Sequence, residues 1–168
     1  MLKLVATPIG NLGDITLRAL EALREADVIY AEDTRHTLQL LNHFSIKKPL
    51  VSCHSYNEQE RAAQIVPLLR EGQEIVYVSD AGMPGVSDPG AALVGACVEN
   101  DLPYTVLPGA SAVLTAAVLS GLPCAAYALR YVPAPVATEN LFAAAACAPE
   151  PPSLRAVKYD APVTADAA

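Results

Sequence analysis

Three stretches combine glycine and proline with isolated polar side chains. They are Ala6-Thr7-Pro8-Ile9-Gly10-Asn11-Leu12-Gly13-Asp14, then Val78-Ser79-Asp80-Ala81-Gly82-Met83-Pro84-Gly85-Val86-Ser87-Asp88-Pro89-Gly90, and finally Leu107-Pro108-Gly109-Ala110-Ser111-Ala112. Glycine lets backbone amides approach a ligand closely and proline fixes the turn. Loops of this kind are where binding residues concentrate. Two further groups hold ionisable side chains, Glu32-Asp33-Thr34-Arg35-His36 and His54-Ser55-Tyr56-Asn57-Glu58. Glu32, Asp33, His54 and Glu58 are side chains of the types that serve in general acid–base catalysis, which contributes on the order of 10²–10⁴-fold in rate. Structural roles are open to the same residues. Asp33 can cap a helix starting at Thr34, Glu58 can close a capping box with Ser55, and His54 can be a satisfied histidine at a strand end. His36 and His43 fall on exposed or half-exposed helix positions.

Several chemistries find no support. No stretch matches G-x-G-x-x-G or the P-loop pattern, and no lysine follows a glycine loop, so nucleoside triphosphate hydrolysis is not indicated. The second loop holds Asp80 and Asp88 but no third ligand at metal spacing. Cys53, Cys97, Cys124 and Cys147 are far apart and form no C-x-x-C pair. They read as small buried hydrophobes rather than a disulfide framework or zinc site, and no metal is expected.

The elements that must position these groups alternate between strand and helix. Leu2–Ala6, Val28–Ala31, Leu50–Cys53, Glu74–Val78 and Tyr104–Leu107 read as strands. Thr16–Arg24, with Leu17, Leu20 and Leu23 inward, and Thr34 to about Phe44, with Leu38 and Leu41 inward, read as helices. A helix opened by the capping box at Ser55 runs to about Leu69, with Gly72 as its terminating glycine. Helices near Ala91–Glu99 and Ser111–Leu119 complete the pattern. The β-branched run in Glu74–Val78 is the mark of a strand buried on both faces. The fold class expected is therefore α/β, a five-stranded, mostly parallel sheet with helices on both faces and right-handed crossovers. In such sheets ligands bind beyond the carboxyl ends of the strands, which is where all three loops fall.

The chain has 168 residues, 52% hydrophobic and 17% charged, with a formal net charge of −7. The length fits one domain, and the apolar fraction excludes a disordered polymer. The uncharged run from Leu102 to Leu129 is interrupted by five prolines and glycines. Its apolar centre, Ala110 to Leu119, is shorter than the roughly 20 residues that cross a bilayer. A polar turn follows only a few apolar residues at the N-terminus, unlike a signal peptide, so a soluble, cytoplasmic chain without a membrane partner is expected. The acidic balance argues against a nucleic-acid surface, which carries a basic patch. Composition changes abruptly after Gly121: residues 123–168 hold no glycine, seven of the fourteen prolines and fifteen alanines.

Taken in order, VATPIGNLGD, YAEDTRHT, HSYNE, VSDAGMPGVSDP and LPGASA resemble the ribosomal RNA small-subunit methyltransferase I family, within the wider tetrapyrrole (class III) methylase fold. The resemblance covers residues 3–123. It implies an S-adenosyl-L-methionine-dependent enzyme that methylates the ribose 2′-hydroxyl of a cytidine in 16S rRNA of the small ribosomal subunit. It also implies two α/β domains with the cofactor in the cleft between them, and a homodimer. Carried over residue by residue, cofactor contacts would come from Pro8, Ile9 and Gly10, from Asp80, Gly82, Pro84 and Val86, and from Ser111 and Ala112. The catalytic candidates are Arg35, His54, Glu58 and Asp33, with Glu32 beside them.

After Pro123 the pattern decays. Arg130 stands where the family has glycine, and most of the family's second domain is expected to be missing. The organisation expected is a cofactor-binding domain at 1–122, followed at 123–168 by an Ala/Pro-rich linker and the degenerate start of a truncated second domain. The absent half would supply the other wall of the cleft and much of the phosphate-binding surface, so the short chain is expected to be impaired as a catalyst on its own. Two alternatives stand beside this reading: a non-catalytic binding or dimerisation module, and a small-molecule methylase acting on a tetrapyrrole.

Overall fold

Five strands and five helices alternate along residues 1–119. They are β1 (Leu2–Val5), α1 (Leu17–Glu25), β2 (Val28–Ala31), α2 (Thr34–His43), β3 (Leu50–Ser52), α3 (Glu58–Arg70), β4 (Ile75–Val78), α4 (Ala91–Glu99), β5 (Tyr104–Leu107) and α5 (Ala112–Leu119). This computed structural model describes residues 1–121 except Ser87. These all lie in Met1–Ala128, the first of two units into which the chain divides. The linker and second-domain start expected at 123–168, with Cys124, Arg130 and Cys147, lie outside the described residues.

The strands form one sheet in the order β3-β2-β4-β1-β5, and every pairing is parallel. β4 is its centre because each of its residues is apolar or aromatic and fully buried. Alternate side chains along a strand point to opposite faces, so β4 feeds two cores. Val76 and Val78 join Val5, Ile29 and Ala31 against α1 and α2. Ile75 and Tyr77 join Leu2, Leu4 and Tyr30 against α3 and α4. Helices therefore cover both faces, as the strand–helix alternation predicts.

Two inward assignments are corrected. On α1 the buried stripe is Ala19, Ala22 and Leu23 with Leu20 packed beside it, while Leu17, the first helical residue, is 78% exposed. On α2 it is Thr37, Leu40 and Leu41, three and four residues apart, and Leu38 turns toward solvent. Gly72 closes α3 as expected, in the left-handed region at φ +86°. Thr16 and Ser111, read as the first residues of their helices, stand one residue before α1 and α5 as N-caps and accept the amides of Ala19 and Leu114. Cys53 and Cys97 are buried and free.

The capping box at Ser55 does not form. Helix α3 begins at Glu58, with Asn57 at its N-cap, and the Asn57 side chain makes no cap bond to α3. Asn57 Oδ1 instead accepts the His54 amide at 2.8 Å, and its Nδ2 donates to the Ser52 carbonyl at 3.3 Å. The turn at Ser55–Asn57 is thus held to β3, which shifts the helix start past the position where Ser55 could cap it.

Candidate functional site

Because all five strands are parallel, their carboxyl ends share one edge of the sheet, and the three glycine-containing loops meet there. The meeting point is Gly82. Its amide donates to the Thr7 carbonyl at 3.1 Å and its carbonyl accepts the Thr7 amide at 2.9 Å, an antiparallel bridge between the first and second loops. A Cβ on Gly82 would stand 3.4 Å from Ile9 Cγ2 and 3.7 Å from the Ala110 carbonyl, so the third loop closes on the same residue. Gly82 also holds φ +81°, which side chains rarely adopt. Gly109 is the second close approach: a Cβ there would lie 2.8 Å from Ala6 Cβ.

The acidic group after β2 is tied into the same edge. Asp80 Oδ1 accepts the Asp33 amide at 3.1 Å, and Glu32 Oε2 accepts the Asp80 amide at 3.4 Å. Asp33 caps α2 through the Arg35 amide at 2.8 Å and pairs with the Arg35 guanidinium at 2.7 Å. Arg35 holds the Asp33 carboxyl down at about 2 by hydrogen bonding from its side chain and amide. Glu32 moves the other way. Burial raises it, the Asp80 amide opposes the rise, and the carboxylates of Asp80, Asp88 and Asp33 add to it. Asp88 is likewise raised, first by burial.

Two adjoining cavities open at this edge, sharing Pro8, Leu12 and His36 in their walls. One, of about 120 Å³, is floored by the buried hydroxyl residues Thr7, Thr37 and Ser79 beside Asp80. The other, of about 330 Å³, is lined by Ile9, Gly10 and Ala81. Binding pockets for small molecules occupy roughly 300–1,000 Å³, so this is a small but sufficient start of one.

Of the residues singled out from sequence, Pro8, Ile9, Gly10 and Asp80 line these cavities, and Gly82 holds the loops that carry them. Asp33 and Arg35 stand at the same edge through Asp80. Pro84 is buried in the second loop, Val86 is exposed on it, and Ser111 and Ala112 open α5; none of these four is among the cavity walls. His54 and Glu58 belong to the β3–α3 turn. Glu58 Oε1 accepts the amides of Gly90 and Ala92 at 2.6 and 2.8 Å, capping α4 rather than its own helix. Of the other wall residues, Thr37, Gln39 and Leu40 were not singled out from sequence, while Thr7, Asn11, Leu12, Ser79 and Ala81 were named only as parts of the loops and His36 only as a helix position. The available signal was positional: the loop residues follow the carboxyl ends of β1 and β4, and the others lie on α2, the helix that follows β2.

The donor set matches a zwitterionic amino-acid end of a ligand, since Asp80 offers an anion for an ammonium group and the loops offer amides and hydroxyls. Ile9 and Leu12 add apolar contact. Among the described residues no group of three or more His, Cys, Asp or Glu is placed to hold a metal ion, and no helix is long and apolar enough to cross a membrane.

The family of tetrapyrrole (corrin/porphyrin) methylases matches residues 1–151 of the chain. A ribosomal RNA small subunit methyltransferase I of Thermotoga maritima is 52% identical over 122 residues, 73% of this chain and 55% of that protein. The protein of the same name from Micromonospora olivasterospora is 55% identical over 122 residues and is covered to 39%. The chain thus spans about half the length of the curated relatives it matches. Among solved structures, uroporphyrin-III-C-methyltransferase from Thermus thermophilus aligns with a TM-score of 0.55 and 28% identity, over 73% of this chain and 53% of that one.

Proposed function

This chain belongs to the tetrapyrrole methylase family, and on that footing we propose that residues 1–122 form the cofactor-binding domain of an S-adenosylmethionine-dependent methyltransferase. Its substrate is the ribose 2′-hydroxyl of a cytidine in 16S rRNA, and residues 123–168 are the linker and the start of a second domain. The observation that carries the reading is the closure of three loops on Gly82, with Asp80 at the cavity beside it. The relatives named as ribosomal RNA methyltransferases, at about half identity, favour RNA over a tetrapyrrole as substrate.

Bound here, the cofactor would supply an electrophilic methyl group on sulfur. The residues of this chain supply placement. Asp80 would pair with the ammonium group, the amides around Gly10 and the buried hydroxyls of Thr7 and Ser79 would receive the polar end, and Ile9 and Leu12 would exclude water. Gly82 keeps the three loops together, and Pro84, Val86, Ser111 and Ala112 would add contacts from the second and third loops. In-line transfer needs a near-attack geometry more than acid–base help, so positioning contributes most of the rate. Glu32 is the residue best suited to accept the ribose proton. It lies beside Asp80, and its raised carboxyl matches a proton acceptor better than Asp33, which Arg35 holds as a stable anion. Arg35 is 89% exposed on its side chain and can meet an RNA phosphate. His54 remains a candidate contact farther along the edge.

Calorimetric titration of the 168-residue chain with S-adenosylmethionine tests the reading. A saturable heat with one site is expected, and no heat at millimolar cofactor excludes it. A homodimer in the cytoplasm completes the proposal. It draws on α5, apolar all round, with Val113, Leu114, Val118 and Leu119 all exposed. The same helix favours a second reading, a binding module that dimerises without catalysis. Light scattering showing a dimer together with no cofactor heat would select that one.

A further inference from the structure

Glu58 is placed at the start of α3, yet its carboxylate serves α4. Helix α4 has Gly90 at its N-cap, and glycine has no side-chain oxygen with which to satisfy the first amides. Gly90 cannot be exchanged for a better cap in place. It holds φ +135°, and a Cβ would come within 3.2 Å of Gly85 N and of Tyr77 Cε1. Glu58 Oε1 fills the vacancy from 32 residues away, accepting Gly90 N at 2.6 Å and Ala92 N at 2.8 Å. Both are charge-assisted bonds, partly buried, at the positive end of a helix dipole. Glu58 itself is held by its neighbours. Asn57 Nδ2 and Arg61 Nε both donate to the Ser52 carbonyl, at 3.3 and 3.0 Å, fixing the first turn of α3 to the end of β3.

We infer that Glu58 is a positioning residue for the second loop, clamping its far end so that Asp80 and Gly82 present one conformation to the ligand. The near end is fixed by the Thr7–Gly82 bridge, and the middle closes on itself where Gly85 N donates to the Pro89 carbonyl at 3.2 Å. Gly85 and Gly90 lie side by side, so the Glu58 bond to Gly90 restrains that closure too. A loop rich in glycine has large conformational freedom to lose, and three ties remove it before the ligand arrives. A corollary follows for charge. The anion position at the N-terminus of α4 is taken by the protein's own carboxylate, so those two amides are not open to a ligand carboxylate or phosphate. The inference rests on the proposal that this loop binds S-adenosylmethionine, and its test separates the two.

Amide hydrogen exchange and calorimetry with S-adenosylmethionine are measured on the full chain and on E58A and E58Q. In E58A the Gly90 and Ala92 amides exchange about 10–100-fold faster, as loss of two bonds to a charged acceptor implies, while Ile65 in α3 keeps its rate. Cofactor affinity falls about 10-fold, a loss equal to about 1.4 kcal/mol. E58Q keeps an acceptor oxygen and recovers most of both. Should E58A not fold, Glu58→Asp replaces it, with exchange about 3-fold faster or more. Unchanged exchange at Gly90 and Ala92 overturns the clamp, and faster exchange with unchanged affinity overturns its positioning role. Absence of cofactor heat in the wild-type chain overturns the proposed function, while the exchange rates still decide the clamp.

Discussion

Asp80 and Asp33 are joined across the carboxyl edge of the sheet, with Asp80 Oδ1 accepting the Asp33 backbone amide at 3.1 Å. One bond therefore links the start of the second loop to the start of α2, and with it the acid that lines the cavity to the acid that holds Arg35. The arrangement separates two tasks of Asp80. One oxygen orders the backbone, and the negative charge as a whole remains available to an ammonium group.

Substitution at Asp80 divides those tasks. Asp80→Asn keeps an acceptor for the Asp33 amide and removes the charge; Asp80→Ala removes both. Affinity for S-adenosylmethionine is expected to fall about 10-fold or more in each, with thermal stability close to wild type for Asn. Calorimetry beside a thermal melt reads both effects. Undiminished affinity in D80A would take Asp80 out of the site.

The glycines make opposite predictions from one geometric criterion. Gly109→Ala sets a methyl group 2.8 Å from Ala6 Cβ, between the first and third loops, and should cost about 1–3 kcal/mol of stability as overpacking. Gly95 lies inside α4 with nothing within 4 Å of an added Cβ. Gly95→Ala should therefore raise stability by about 0.5–1 kcal/mol through helix propensity. Urea denaturation of the two variants checks the pair, and a destabilised G95A would contradict the open space at that position.

Local order was legible in the sequence where one short stretch contained its own explanation. The β-branched run ending at Val78, the cap at Asp33 and the terminating Gly72 all depend on neighbours within a few residues. The three loops were recognisable for the same reason. Glu58 was not, because its partners Gly90 and Ala92 are brought near only by the packing of α3 against α4, while Ser55 offered a plausible local partner three residues away. Leu38 shows a subtler failure. The apolar residues Leu38, Leu40 and Leu41 fit more than one helical stripe, and the buried Thr37 that selects among them is polar. Neither the strand order nor the meeting of Ile9, Gly82 and Ala110 has a sequence-local signal, since both are fixed by which strands pair.

Cys53 offers a test of the core. It lies at the end of β3, fully buried, and burial is the first cause of a thiol raised to about 12. The thiolate is the reactive form, so Cys53 should resist alkylation in the folded chain near pH 8 and react readily once urea unfolds it. Peptide mapping by mass spectrometry after brief iodoacetamide treatment measures this. Native labelling of Cys53 at the unfolded rate would show that the α3–α4 core is open.

Glu32 and Asp33 are adjacent carboxyls shifted in opposite directions, and pH separates their effects. For Asp33 the folded value of about 2 lies below the ordinary one. Its contribution to stability is present above the ordinary carboxylate range and is lost as pH falls toward 2; the pair is exposed, so the effect on overall stability is small. Glu32, raised first by burial, holds its proton more tightly when folded than when unfolded. Its favourable contribution is therefore present at low pH and is lost as pH rises through the folded value. At neutral pH an ionised Glu32 sits among Asp80, Asp88 and Asp33 at a net cost, and Glu32→Gln relieves it while still accepting the Asp80 amide. E32Q should consequently be at least as stable as wild type at about pH 7, with the difference closing as pH falls below the ordinary glutamate value of about 4.3. Urea midpoints for the two proteins across that range measure the trend. A wild type more stable than E32Q at neutral pH would show that the Glu32 charge has a favourable partner, and would contradict the raised carboxyl on which its proposed role as proton acceptor rests.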